Sequence, residues 1–329
     1  MCLLAIGLFL ESAAMPLKRQ KRIHRNVSTR AEPHEFPAVV HVDSCSTPWH
    51  DDADCAHCTG VLLSVDLVLA AAHCAVKPHV AFTFADEKCE FGMLHEYWAS
   101  HYYLHKNFSS AYVNFVSFFY RSDSMQDDLA LFRLHRPIDI VPGYVEVMRL
   151  PFGQVEYSAS GRGWVSIPEE DQQQNKTDEA LNCTIASWGI GCLAATTPPQ
   201  RMRKVNISLD MANTDWCRNH TNGTITIREV CFGNHPERHD LLMSCMGDSG
   251  APLFCQYAEA EEPLLEAIVT SGICTHEDNL FPECKCSATL VAESIRHHYH
   301  WILGLIVTLG RMRDFPYIDW QPIIDCDDF

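Results

Sequence analysis

The 329-residue sequence predicts an all-β fold, because short apolar runs recur between turns and helical periodicity is scarce. Runs of strand length include residues 36–42, 60–63, 66–71 and 129–134. Spacing of this kind is typical of a β-sandwich or a β-barrel. Hydrophobic residues make up 47% of the chain and charged residues 20%, a balance too apolar for a disordered protein. Only residues 293–309 form a convincing helix candidate.

The N-terminal segment predicts secretion into the extracellular space. Residues 1–10 (MCLLAIGLFL) form an apolar run, and the small residues at 12–14 suit a signal peptidase, although the usual positive start is missing. We assign residues 1–14 as a signal peptide and the basic residues 15–22 as a propeptide-like segment. A buried N-terminal strand is the alternative. Sixteen cysteines and seven N-glycosylation sequons agree with an oxidising compartment.

Charge and hydropathy exclude two classes of partner. With 25 basic and 42 acidic residues the net charge is −17, which argues against binding to nucleic acid. No apolar stretch reaches the ~18 residues expected of a transmembrane helix, and residues 301–309 come nearest. We therefore predict neither a nucleic-acid partner nor a membrane span, and we assign no cofactor and no metal.

Three local motifs indicate nucleophilic catalysis by a serine. Ser249 lies in a Gly-Asp-Ser-Gly sequence, where flanking glycines let the backbone turn so that amide groups face a developing oxyanion. A serine hydroxyl needs a neighbouring base, and His73 ends an apolar strand in the sequence LAAAHC. Asp128 enters another apolar strand in DDLAL. In isolation the first motif would be an ordinary turn, but the order His, Asp, Ser is a known order of the catalytic triad.

With AAHC, DDLAL and GDSGAP in place, the sequence resembles the trypsin-like (chymotrypsin-fold) serine proteases from about residue 36 to residue 302. The resemblance implies that Ser249 is the nucleophile, His73 the general base and Asp128 the carboxylate that orients the imidazole. The backbone N–H groups of Gly247 and Ser249 would form the oxyanion hole.

The same resemblance implies two packed antiparallel six-stranded β-barrels with a C-terminal helix, and an active site between the barrels. The protease domain would span residues 23–310. Barrel one is expected at about 36–140, barrel two at about 155–295 and the helix at about 293–309. The tail, residues 311–329, is left without a structural prediction.

Four disulfides are implied by the resemblance: Cys58–Cys74, Cys183–Cys255, Cys217–Cys231 and Cys245–Cys274. Cys45 and Cys55 flank an insertion and are candidates for a local bridge, whereas the remaining cysteines stay unassigned. Zinc binding by Cys55-Ala-His57-Cys58 is an alternative, disfavoured because Cys58 is expected in a bridge. A metal site from His297, His298 and His300 at helical spacing is likewise disfavoured.

The sequence departs from the family pattern at the activation site. Family members are usually made as precursors, and cleavage frees an Ile-Val-Gly-Gly-like terminus whose amine pairs with the Asp before the nucleophile, here Asp248. No such sequence is present, and the nearest candidate terminus is Ile23, after the basic run 18–22. The alternative is a processing site or charge cluster unrelated to activation.

The specificity pocket also departs from the family pattern. Met243 lies six residues before Ser249, where trypsin-like members carry a carboxylate, so we expect no preference for Lys or Arg and an apolar residue at the cleaved position. Thr270, Ser271 and Gly272 would form the pocket wall, with the Thr270 hydroxyl against Asp128.

Two functions follow from these observations. The first is a secreted serine endopeptidase that acts through an acyl-enzyme on polypeptide substrates, with a protease inhibitor and an activating protease as candidate partners. The second is a non-catalytic homologue that serves as a binding or regulatory protein, because the usual activation terminus is missing.

Overall fold

The computed structural model describes residues 29–47, 55–75, 77–84, 96–108, 127–151, 156–157, 164–165, 182–189, 202–207, 228–233, 247–257, 262–273 and 289–320. The strands within these ranges are β1 Thr29–Arg30, β2 Val39–Cys45, β3 Cys55–Ser64, β4 Leu67–Ala70, β5 His79–Thr83, β6 Glu96–Leu104, β7 Ala130–Leu134, β8 Glu156–Tyr157, β9 Trp164–Val165, β10 Asn182–Ser187, β11 Arg203–Ile207, β12 Glu229–Gly233, β13 Pro252–Gln256, β14 Leu264–Ile273 and β15 Thr289–Ser294. Strands therefore dominate the described part of the chain, and the predicted all-β class is confirmed.

The first half of the chain forms a closed antiparallel barrel. Its strands follow the order β2-β3-β4-β7-β6-β5, so every strand has two neighbours and no edge is exposed. Alternation along β2 sends Val40 and Val42 into the barrel interior, where they pack with Phe82 and Phe132, and leaves His41 on the opposite face. This barrel matches the predicted barrel one.

The second half of the chain forms a seven-stranded antiparallel sheet in the order β1-β11-β10-β13-β14-β15-β12. We expected six strands in barrel two, one fewer than this sheet contains. The additional strand, β1, comes from the N-terminal part of the chain and pairs Thr29 with Lys204. A short ladder of β8 with β9 forms separately.

The C-terminal helix, α1, spans Tyr299–Thr308 and begins later than the predicted residue 293. Residues 289–294 belong instead to β15, which is paired on both sides, with Glu293 opposite Ile268 in β14 and Glu229 in β12. A short 3-10 turn at Arg296–His298 leads into α1. The predicted start of the helix was wrong because the apolar residues just before it form a strand that is paired on both sides. Among the described residues we find no helix with the length and apolar character needed to cross a bilayer.

One apolar core joins the barrel, the sheet and the helix. Its buried members include Leu67 and Leu131 from the barrel, Ile268 from the sheet and Ile302 from α1. Residues 311–320 complete this core, since Phe315 and Ile318 are buried in it. The backbone N–H of Leu150 also donates to the Tyr317 hydroxyl at 2.9 Å, and Arg311 pairs with Asp66. The described part of the tail is thus an integral part of the fold.

Three disulfides are formed between described residues: Cys45–Cys55, Cys58–Cys74 and Cys183–Cys255. The last two are among the implied pairs, and the first is the local bridge across the insertion. Cys231 is also disulfide-bonded, but its expected partner Cys217 lies outside the described residues, as do Cys245 and Cys274. The alternative of zinc binding by Cys55 and Cys58 is wrong, because both sulfurs are in disulfides.

Candidate active site

His73 and Asp128 form a buried, doubly hydrogen-bonded pair in the first barrel. His73 lies in a 3-10 turn, Ala72–Ala75, that follows β4, and Asp128 lies two residues before β7. Because β4 and β7 are paired, these two chain segments meet. The His73 Nδ1 atom lies 2.6 Å from Asp128 Oδ2, and the His73 backbone N–H donates to Oδ1 at 2.8 Å. Asp128 is fully buried, so the two hydrogen bonds stabilise a charge that burial would otherwise penalise.

A carboxylate only accepts hydrogen bonds, so the hydrogen between His73 and Asp128 belongs to His73 Nδ1. When the imidazole is neutral, its lone pair is then on Nε2. This is the tautomer that a general base requires.

Ser249 is held against the first barrel by its backbone. Its carbonyl oxygen accepts a hydrogen bond from the Thr59 N–H at 2.7 Å, and it lies 3.9 Å from the Cys74 sulfur. Cys74 follows His73 directly and is bridged to Cys58 in β3. The loop that carries the serine is therefore fastened to the two elements beside His73.

The residues around Ser249 require glycine for a physical reason. Gly247 and Gly250 have φ values of +91° and +83°, in the region that favours glycine. A Cβ atom on Gly250 would lie 1.9 Å from the Thr59 carbonyl oxygen. The tight turn and its close approach to β3 thus explain why the motif has glycines on both sides.

Two hydroxyl groups connect the barrel to the seven-stranded sheet behind this loop. The Thr59 hydroxyl donates to the Gly247 carbonyl at 2.9 Å and accepts from the Trp188 N–H at 3.0 Å. The Ser187 hydroxyl donates to Asp248 Oδ1 at 2.5 Å and accepts from the Gly189 N–H at 2.9 Å. The two hydroxyl oxygens lie 3.2 Å apart. We call this arrangement the hydroxyl bridge; neither Thr59 nor Ser187 was singled out from the sequence.

The predicted pocket residues are only partly described. Thr270 and Ser271 are buried in β14, and Gly272 follows them in the same strand. The Thr270 hydroxyl donates to the Val291 carbonyl at 3.4 Å rather than to Asp128, so the expected contact with the triad carboxylate is wrong. Met243 and Ile23 lie outside the described residues.

A second buried acid lies beneath Asp128 and was missed in the sequence. Glu293 accepts a hydrogen bond from the Asp128 backbone N–H at 3.4 Å, and its other oxygen lies 2.8 Å from His298 Nε2. Burial raises the pKa of Glu293 above its ordinary value, although the hydrogen bond with His298 opposes that change. The sequence offered no signal for this acid, because it lies in a segment whose periodicity predicted a helix.

Asp127 forms the centre of a polar cluster next to the triad. Arg228 Nη1 lies 2.8 Å from Asp127 Oδ1, and Asn107 donates to the other carboxylate oxygen at 3.2 Å. Burial would raise the pKa of Asp127, but these partners outweigh burial and keep it below its ordinary value. Burial lowers the pKa of the adjacent His105 to about 4, and Asp127 offsets only part of that effect.

Comparisons with known proteins point to one family. Residues 26–282 match the family model described as Trypsin. Mouse kallikrein 1-related peptidase b11 is 26% identical over 217 residues, which cover 64% of this chain and 71% of that protein. Human kallikrein-12 is 25% identical over 67% of this chain and 75% of its own length. The solved structure of mouse neuropsin, a serine protease, has a TM-score of 0.57 at 19% identity and covers 85% of this chain and 98% of its own, a likeness of fold.

Proposed function

The chain belongs to the trypsin family of serine proteases, and we propose that it is a secreted endopeptidase that cleaves peptide bonds through an acyl-enzyme on Ser249. The observation that carries the proposal is the buried His73–Asp128 pair beside the loop of Ser249. A hydrogen on Nδ1 directed at Asp128 supports the role of His73 as the general base.

In the proposed mechanism the Ser249 hydroxyl attacks the substrate carbonyl while His73 Nε2 accepts its proton. Asp128 stays ionised and stabilises the imidazolium through the 2.6 Å contact at Nδ1. His73 then protonates the leaving amine, and an acyl group remains on Ser249. A water molecule, deprotonated by His73, attacks this ester, and the imidazolium returns that proton to Ser249 Oγ as the acid product leaves. In each half of the reaction His73 thus first accepts a proton as a base and then donates it as an acid.

The backbone N–H groups of Gly247 and Ser249 are the proposed oxyanion donors. Support comes from the positive φ of Gly247 and from the Thr59 hydroxyl on the Gly247 carbonyl, which together restrain the backbone on the C-terminal side of that N–H. Loss of one such donor typically lowers kcat by about 100- to 1,000-fold. Asp248 is the activation-linked residue of the proposal, with the amine of Ile23 as its proposed partner after cleavage.

The finer parts of the proposal concern specificity and compartment. Met243 supports cleavage after apolar side chains, because a thioether offers no charge to a Lys or Arg substrate. Residues 1–14 and the disulfides of the fold support secretion. The alternative, a non-catalytic homologue, rests on the missing Ile-Val-Gly-Gly sequence.

A peptide-library cleavage assay on the secreted protein tests the proposed function. We expect cleavage after apolar residues, no cleavage after Lys or Arg, and no product with the Ser249→Ala variant. N-terminal sequencing of the same sample reports whether the chain starts at Ile23. A correctly folded protein that starts at Ile23 and cleaves nothing would favour the non-catalytic homologue instead.

A further inference from the structure

Three metal-ligand side chains meet on the hairpin that β2 and β3 form in barrel one. His41 and Asp43 are two residues apart on β2, on the face opposite the buried Val40 and Val42. His57 lies on β3, directly opposite Asp43 in the ladder. We propose that His41, Asp43 and His57 bind one Zn²⁺ ion, and we call them the hairpin cluster.

The donor atoms of the hairpin cluster converge on the carboxylate. His57 Nδ1 lies 2.6 Å from Asp43 Oδ1, and His41 Nδ1 lies 3.3 Å from Asp43 Oδ2. One donor atom from each residue lies within 4.8 Å of the other two. The two imidazole rings are stacked, with an angle of 20° between their planes. Only small shifts are then needed to bring all three donors to the ~2.0–2.2 Å at which zinc binds nitrogen and oxygen.

The chemistry of the donor set selects the class of metal. Two imidazoles and one carboxylate suit zinc, whereas Ca²⁺ and Mg²⁺ require mainly oxygen ligands.

The hairpin cluster is only partly exposed to solvent. The side chains of His41, His57 and Asp43 are 13%, 15% and 23% exposed, so the site is partly shielded and still reachable from solvent. Three protein ligands and one open position are the usual arrangement of a zinc ion that is not fully enclosed. The ladder between β2 and β3 and the Cys45–Cys55 bridge at the end of the hairpin hold the ligands in place.

Two further clusters of similar composition among the described residues are already occupied by protein partners. Asp127, between His105 and His298, is paired with Arg228, a fixed cation. Cys58 and Cys74, beside His73, are consumed by their disulfide. Among the described residues, Asp43 of the hairpin cluster by contrast pairs only with the two imidazoles.

The tautomer of His41 sets an upper limit on affinity. Zinc at Nδ1 moves the imidazole hydrogen to Nε2, which is buried and has no hydrogen-bond partner among the residues that the structure describes. A buried N–H without an acceptor opposes binding. We therefore expect weaker binding than in a closed structural zinc site.

Calorimetric titration of untagged, chelator-treated Ser249→Ala protein with ZnCl₂ tests the proposal. We expect one zinc site that His57→Gln and Asp43→Asn each weaken by more than the 10- to 100-fold typical of losing an outer-shell partner. His101→Gln, a change of an exposed histidine on β6 of the same barrel, is the matched control and should bind as the parent does. CaCl₂ and MgCl₂ should give no binding at this site.

The proposal is overturned if His57→Gln and Asp43→Asn both bind zinc with the parent's stoichiometry and affinity. Should His57→Gln fail to fold, the near-isosteric Asp43→Asn decides alone. Thermal unfolding gives a second readout, since zinc should raise Tm in the parent and not in these variants. Because both readouts report binding, their outcome is separate from that of the peptidase assay.

Discussion

Because Thr59 is part of the hydroxyl bridge, substitution of this residue tests how the loop of Ser249 is held in place. Thr59→Val keeps the shape of the side chain but removes the hydroxyl that donates to the Gly247 carbonyl and accepts from the Trp188 N–H. Both backbone groups then stay buried without this partner, and each such loss costs about 1–3 kcal/mol. We expect the free energy of unfolding to fall by about 3 kcal/mol, near the lower end of the summed range.

The same substitution should also slow the proposed reaction. Gly247 supplies one of the proposed oxyanion donors through its N–H, and losing the restraint on its carbonyl should loosen the neighbouring backbone and lower kcat more than it raises KM. We expect a loss of about 10- to 100-fold in kcat, below that of removing a donor outright. The assays are urea unfolding, read as a shift in midpoint at constant slope, and hydrolysis of an apolar peptide substrate.

Two variants serve as controls for Thr59→Val. Thr59→Ser keeps the hydroxyl and should restore most of kcat. Thr184→Val removes a single hydrogen bond, to Asn206, from an exposed site on β10 and should change stability by no more than about 0.5 kcal/mol. The role given to the Thr59 hydroxyl is refuted if Thr59→Val has the parent's urea midpoint and hydrolyses the peptide at the parent's rate.

The remaining predictions concern backbone strain and pH. Gly250→Ala should destabilise by more than about 3 kcal/mol in urea unfolding, because the new Cβ would lie 1.9 Å from the Thr59 carbonyl oxygen at a φ of +83°. Gly143→Ala has a similar φ of +77° and no atom within 4 Å, so it should cost only about 1 kcal/mol; equal costs would contradict this account. Burial lowers the pKa of His105 to about 4, so the unfolded chain binds its proton first and stability should fall between pH 6.5 and pH 4. His105→Asn should remove on the order of 3 kcal/mol from that pH dependence, and an unchanged dependence would show that another group is responsible.

The sequence predicted the parts of the fold that depend on local patterns and covalent constraints. Apolar runs of strand length predicted the all-β class. The motifs around His73 and Ser249 indicated two catalytic segments, and the fold brings these segments together. The Cys58–Cys74 disulfide could be predicted from the family pattern because both cysteines occupy positions of that pattern. Local sequence is sufficient for the strands and the motifs, whereas the disulfide pairing follows from the resemblance to the family.

Features that depend on tertiary contacts escaped prediction. Glu293 lies in a doubly paired strand, which an apolar segment before a helix does not reveal. The Thr270 hydroxyl bonds to Val291 because β14 and β15 are paired, and no local pattern specifies that choice. The hairpin cluster likewise unites residues of two strands through their register.

Covalent labelling by a fluorophosphonate, located by mass spectrometry, tests the central claim most directly. The reagent reacts with a serine that a base has activated, so it reports the proposed chemistry without requiring the natural substrate. We predict a single adduct on Ser249 in the folded, processed protein, and none in the Ser249→Ala or His73→Ala variants. Absence of the adduct from folded and processed parent protein, or equal labelling of the His73→Ala variant, would contradict the account.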